Sequence, residues 1–163
     1  MSTMIHGSTT IAQATALATI RGKKLTKKRT KVMALLIEAQ KPLSAYEITD
    51  IYNEIYHEHI IAMSVYRILD WLVEEHFAHR LNSVHKYVAC HNEQCIRQPA
   101  FSIFIICKTC QITIENHAPE HLQRELQEQI SGSQYSNISP HVELMGVCQQ
   151  CIDKQKTGDS KHA

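Results

Sequence analysis

No apolar run in this 163-residue sequence comes near the ~20 residues needed to cross a bilayer, and residues 103–107 (IFIIC) are typical of the stretches it does have. A membrane-spanning chain is therefore not expected. The first twenty residues also lack a basic segment followed by a long apolar stretch and a small-residue cleavage site, so the chain reads as soluble and cytoplasmic rather than secreted. Internal repeats and long low-complexity segments are missing too. With 44% hydrophobic and 20% charged residues the composition is that of a globular protein, and 163 residues can hold one ordinary domain or two small ones.

A reducing cytosol keeps thiols reduced, so the six cysteines are expected as ligands or reactive groups rather than a disulfide framework, and the eleven histidines point the same way. The net charge of +1 hides an asymmetry. Residues 1–90 hold eleven Lys/Arg against eight Asp/Glu, and residues 91–163 hold six against eight. Residues 21–31, RGKKLTKKRTK, carry seven bases and no acid. Such a run suits either a solvated helix face or phosphate binding.

Residues 1–8 show no pattern and are expected as a tail. Ile11–Ile20 reads as an Ala-rich helix. Thr26 is placed to cap a second helix, with Val32, Leu35, Leu36 and Ala39 at helical spacing, ending at Lys41-Pro42. Ser44 and Glu47 have capping-box spacing ahead of a third helix carrying Ile48, Ile51 and Ile55. Residues 64–76 form a fourth, with Val65, Ile68, Leu69, Leu72 and Val73 as its buried stripe. Residues 77–82 and 85–89 alternate around Ser83-Val84 as a β-hairpin. Three packed helices and then a hairpin is the order of a winged helix, whose recognition helix would begin at Ser64-Val65-Tyr66-Arg67.

Residues 90–100 turn polar, with Cys and His, and mark a hinge. Beyond it, 101–107 and 111–115 read as strands flanking CKTC, 119–130 as a helix, and 141–148 as a strand leading into CQQC, with a disordered tail after Ile152. The expected fold is α+β: a winged-helix DNA-binding domain (1–89), the hinge (90–100) and a small α/β dimerisation domain (101–163).

Cys107 and Cys110 form one C-x-x-C and Cys148 and Cys151 another, with 37 residues between them. Two such knuckles supply the four thiolates of a closed tetrahedral zinc site. A redox C-x-x-C normally stands alone near a βαβ pattern. A domain of about 60 residues buries little apolar surface, and a structural zinc can add on the order of 10 kcal/mol to its folding.

Together these residues resemble the ferric uptake regulator family, and within it the zinc uptake regulator branch. The matching stretches are LTKKR (25–29), SAYEITD (44–50), SVYRILDWLVEEHFAHRL (64–81), YVACH (87–91) and the CKTC and CQQC pairs. They run in the family's order over nearly the whole chain. The resemblance implies a homodimer that binds inverted-repeat operator DNA when a sensing site is loaded, and so represses metal-uptake genes. It implies DNA contacts from Tyr46, Ser64, Tyr66 and Arg67, and phosphate contacts from Arg29 with Lys27 and Lys28.

The same resemblance implies a second, regulatory zinc held by His79, Cys90 and Glu115, giving two zinc sites per monomer. The family's remaining histidine, counted back from Cys107, falls on Ala100, so Cys95 or, alternatively, His91 is the expected fourth ligand. The iron branch's His-His-Asp-His cluster is replaced by AFSIFII (100–106), which speaks against the alternative of an iron- or peroxide-responsive regulator. His117, His121 and His141 offer a further weak site or a set of solvated histidines. The remaining alternatives are a zinc-stapled protein-interaction module, disfavoured by the basic run, and a redox or hydrolytic enzyme. The closed four-cysteine site lacks the open coordination position that enzyme chemistry needs, so no catalytic residues and no small-molecule substrate are expected.

Overall fold

The computed structural model describes residues 10–39, 41–90, 101–135 and 141–159. They belong to two compact units, Met1–Pro99 and Ala100–Ala163. The expected N-terminal tail and most of the expected hinge lie outside the described residues.

In the first unit, α1 (Ile11–Ile20) starts with a Thr10–Gln13 capping box. It ends where Gly22, at φ 68°, turns the amides of Gly22 and Lys23 back onto the carbonyls of Thr19 and Ala18. A side chain at that left-handed position would be strained. α2 (Lys27–Glu38) begins at Thr26, whose hydroxyl accepts from the Arg29 amide. Ahead of α3 (Ala45–Tyr56) the Ser44 hydroxyl accepts from the Glu47 amide at 3.2 Å and the Glu47 carboxylate accepts from the Ser44 amide at 2.7 Å. Both caps satisfy amides that a helix start otherwise leaves without partners.

α4 (Ala62–Glu74) begins earlier than the sequence predicts, after Ile61, and has no side-chain cap. β1 (Ala78–Leu81) and β2 (Lys86–Ala89) pair antiparallel, with Ala78 opposite Ala89 and Leu81 opposite Lys86. Leu43 exchanges two backbone hydrogen bonds with Tyr87, at 3.0 and 2.8 Å, which ties the entry to α3 to the hairpin. This is a winged helix.

Its core joins Val32 and Leu36 of α2, Ile48 of α3, Val65, Leu69 and Leu72 of α4, and Phe77, Leu81 and Tyr87 of the hairpin. Several expected core positions differ, Ile68 and Val73 of α4 being only half-buried. Ile55 is exposed and Ile51 half-buried, while Tyr52 is fully buried. The tyrosine can sit inside because its hydroxyl donates to the Glu58 carboxylate at 2.9 Å and its ring packs edge-on against Tyr56. Burial, and then that bond to a carboxylate, push its pKa up to about 12.

The second unit is a three-stranded sheet of order β4–β3–β5, from β3 (Ser102–Cys107), β4 (Thr113–His117) and β5 (His141–Gly146). β4 lies antiparallel to β3, and β5 parallel to it. The crossover from β4 to β5 carries α5 (Glu120–Gly132), which has no fully buried residue. The register sets Ile105 between Ile114 and Leu144, so these three share one face, and they are 41%, 56% and 50% exposed. Phe104 and Ile106 occupy the opposite, buried side of β3.

The expectation of a disordered tail after Ile152 is corrected. A helix that begins inside the second C-x-x-C, α6 (Gln149–Asp159), continues past Ile152, so Cys151 sits on a helix and not at a strand end. Isolated helices of this length are marginal because the first turn is costly to form. Here the Cys151 and Ile152 amides both bond the Cys148 carbonyl, and Gln149 donates to Asp153, so the cysteine pair itself forms that first turn.

Candidate nucleic-acid interface and metal centre

The buried residues Val65, Leu69 and Leu72 fix which side of α4 faces the core. At 3.6 residues per turn, Arg67 then points away from it and Tyr66 to the flank. Arg67 is exposed, and Tyr66 and Ser64 are half-buried. Tyr46, the second residue of α3, is 65% exposed and meets the Tyr66 ring edge-on with centroids 6.2 Å apart. The loop entering α4 is held firmly. Asn53 accepts from the Ile60 amide at 2.7 Å and donates to its carbonyl at 3.1 Å, and Glu58 is shared between Tyr52 and Lys31.

The basic run divides into two sets. Arg21 donates to the Glu75 carbonyl at 2.8 Å, Lys23 lies 3.2 Å from the Glu75 carboxylate and Lys31 pairs with Glu58. Arg29 lies 3.8 Å above the Trp71 ring and donates to the Lys24 carbonyl at 2.8 Å, so its guanidinium braces the run from within. Lys24, Lys27 and Lys28 remain exposed. Lys27, Lys28 and Arg29 form the first turn of α2, which contains no acid. Cations there oppose the helix dipole, a local cost that points to a functional use.

In the second unit the turn after β3 carries Cys110, and the link after β5 carries Cys148. Cys107 closes β3 and Cys151 lies in the first turn of α6. The ligand atoms of all four lie within 4.8 Å of one another. The Cys107 and Cys151 sulfurs are 3.9 Å apart, and those of Cys110 and Cys148 3.7 Å. A zinc about 2.3 Å from each of four sulfurs sets them ~3.8 Å apart, so the cluster fits that ion. The thiols are electrostatically unequal. Amide donors from Cys110 and Cys148 hold Cys107 down to about 5, whereas a shared bond with Cys148, and then burial, push Cys151 up to about 12. Four thiolates this close repel one another unless a cation sits among them.

His79 and Cys90 come together within the first unit. Val88 is the cross-strand partner of His79, and Cys90, two residues further on, leaves β2 on the same side, with its amide bonded to the Phe77 carbonyl at 3.0 Å. The His79 and Cys90 ligand atoms are within 4.8 Å of each other, and Cys90 is fully buried. In the second unit Glu115 lies mid-β4 opposite Phe104 and accepts from the Ser102 hydroxyl at 2.9 Å. Cys95 and His91, the two expected fourth ligands, and Ala100 lie outside the described residues.

Among the described residues, His117, His121 and His141 join no group of three metal-capable side chains. His117 and His121 are exposed, and His141 lies 3.0 Å from the Glu143 carboxylate with its ring edge-on to Phe104.

The described residues thus comprise a winged helix with an outward arginine and a small α+β unit with four clustered thiols. A model of the ferric uptake regulator family matches residues 20–145. The chain belongs to that family. It is 30% identical over 146 residues to the Zinc uptake regulation protein of Escherichia coli (strain K12), spanning 88% of this chain and 81% of that protein. Among solved structures, a zinc uptake regulator complexed with zinc and DNA is similar with a TM-score of 0.77 at 28% identity, over 90% of this chain and 95% of the other. The holo form of XcZur is similar with a TM-score of 0.71 at 30% identity, over 88% and 96%.

Proposed function

We propose that the chain is a zinc-dependent repressor of metal-uptake genes, acting as a homodimer on inverted-repeat operator DNA in the cytoplasm and performing no catalysis. The observation that carries this reading is the outward N-terminal face of α4, where exposed Arg67 stands beside the Tyr66–Tyr46 pair on a firmly held loop. Arginine can fork onto a guanine edge and tyrosine can pack on a thymine methyl, while Lys27 and Lys28 meet phosphates and set register. The choice of zinc draws on the names of the relatives and on the sulfur spacing of the four-cysteine cluster.

A second copy as partner is supported by the apolar face of Ile105, Ile114 and Leu144, since a contiguous exposed apolar patch marks an interaction surface. Two symmetric heads must also meet major grooves about 34 Å apart on an inverted repeat.

On this reading each monomer takes two zinc ions. Cys107, Cys110, Cys148 and Cys151 hold the first, which is structural. His79 and Cys90 of the reading head hold the second with Glu115 of the dimer unit and either Cys95 or His91. When bound, that second ion cross-links the two units, which lowers the ordering cost of placing both heads on DNA.

The test is an operator titration by fluorescence anisotropy, with duplexes enriched from a random library, in zinc and in chelator. Wild type should bind only with zinc. Arg67→Ala should lose about 1–3 kcal/mol and relax its base preference, whereas Lys28→Ala should weaken all sequences and flatten the salt dependence. Cys90→Ser and His79→Ala should stay folded with one zinc per monomer yet lose the zinc-dependent gain. Loss in only one of Cys95→Ser and His91→Ala identifies the fourth ligand. Zinc-independent binding, or normal zinc response in both Cys90→Ser and His79→Ala, would overturn the regulatory assignment.

A further inference from the structure

Met63 lies on the side of α4 directly opposite the buried stripe of Val65, Leu69 and Leu72, one turn before Arg67 and on the same face. It is 61% exposed. Such a residue has no part in the core. An isolated exposed apolar side chain is ordinary, but this one has company: Ile61, the N-cap residue, and Tyr46 are also among the exposed large apolar residues, and Tyr46 touches Tyr66. The first two turns of α4 thus present apolar surface beside the exposed Arg67 guanidinium.

Further along the same face the chemistry reverses. Asp70 and Glu74 are exposed and point the same way as Arg67. Two carboxylates there would repel phosphates on both walls of a groove, so only the N-terminal turns of α4 can approach the floor of the groove, where base edges lie. At that end the outward face of the helix offers Arg67 for hydrogen bonding to a base and, in Met63, an apolar side chain suited to a methyl group, with Ser64 and Tyr66 on the flanks. In the major groove the C5 methyl of thymine is the apolar mark that separates T from C.

We infer that Met63 is a specificity-determining residue, contacting a thymine methyl in each operator half-site next to the base met by Arg67. The inference rests on the DNA-binding reading above. Methionine suits the task because its unbranched thioether chain adapts to a methyl contact without demanding one geometry.

The probe is a duplex enriched from a random library by the zinc-loaded wild-type protein, in which each thymine of a half-site is replaced in turn by deoxyuridine, removing only the methyl. At one position wild type should lose about threefold to fivefold in affinity, the loss expected for one methyl taken from an apolar contact. Met63→Ala should lose a similar factor on the thymine duplex and respond no further to deoxyuridine at that position. Position 63 is exposed and alanine favours helix, so an unchanged thermal melt is expected and checks the fold. If Met63→Ala keeps the wild-type ratio of thymine to deoxyuridine binding at every position, the assignment of Met63 is overturned while the DNA reading stands. If no duplex is enriched at all, the DNA reading fails and takes this inference with it.

Discussion

The two units solve the problem of staying folded in opposite ways. In the first, three helices and a hairpin converge on Val32, Ile48, Leu69, Phe77 and Tyr87, all buried, and every helix but α4 starts with a side-chain cap. In the second, α5 buries no residue fully and one sheet face is left apolar and open. Its first strand and last helix instead bring the Cys107 and Cys151 sulfurs to 3.9 Å from each other. Apolar burial holds the reading head, and covalent-strength coordination with a partner's surface is suited to hold the other unit.

The largest effect expected from breaking that contrast is with Cys148→Ser. Losing one thiolate removes the link between β5 and the ligands on β3 and α6, so amide exchange protection of β3 to β5 should collapse and the protein should elute as a monomer. The only tryptophan, Trp71, belongs to the first unit and stacks on Arg29, so its fluorescence reports that unit alone. A cooperative urea transition by Trp71 fluorescence should persist in Cys148→Ser. A folded dimer with unchanged exchange would mean that the thiols do not hold the second unit.

The reverse substitution sharpens the same comparison. Leu69→Ala leaves a cavity in the first unit's core and should cost about 2–5 kcal/mol in the Trp71 transition. Metal content per monomer and exchange protection of β3 should stay at wild-type levels. Loss of both with Leu69→Ala would show that the units unfold as one, and the division of labour would fail.

Much of this was legible because the residues that specify it are close in sequence. Thr26, and Ser44 with Glu47, announce their helices within one turn, and the paired C-x-x-C motifs name their own cluster. What escaped depends on contacts between distant residues or on chemistry that a hydrophobic pattern does not register. Tyr52 takes the core place expected of Ile55 because its hydroxyl donates a hydrogen bond to Glu58, and periodicity of apolar residues ranks the isoleucine first. Arg29 reads as one more base in a run until Trp71 is brought beneath it. α6 is not legible because its polar sequence gives no helical stripe, and its first turn is supplied by the cysteines. Met63 is hidden for the opposite reason: it is apolar, yet it falls outside every stripe.

The smallest effect tests whether the caps of the first unit contribute independently of metal. Glu47 is subject first to burial, which raises its pKa, but the Ser44 amide and hydroxyl and the Lys86 ammonium outweigh that and hold the carboxyl below its ordinary value. A carboxyl whose folded pKa is depressed adds stability that is present above its unfolded pKa, about 4.3, and is lost as pH falls through the folded value. Glu47→Gln keeps the reciprocal hydrogen bonds of the cap, since glutamine also serves there, and removes the charge together with the pairing to Lys86. The variant should therefore show a slightly lower urea midpoint than wild type at pH 7 by Trp71 fluorescence, and the gap should close as pH is lowered past the carboxylate range. Because the side chain is 39% exposed, solvent screens the pair with Lys86 and the gap at pH 7 should be modest. A gap that stayed constant from neutral to acid pH would mean that the charge is irrelevant and that the cap acts through its hydrogen bonds alone.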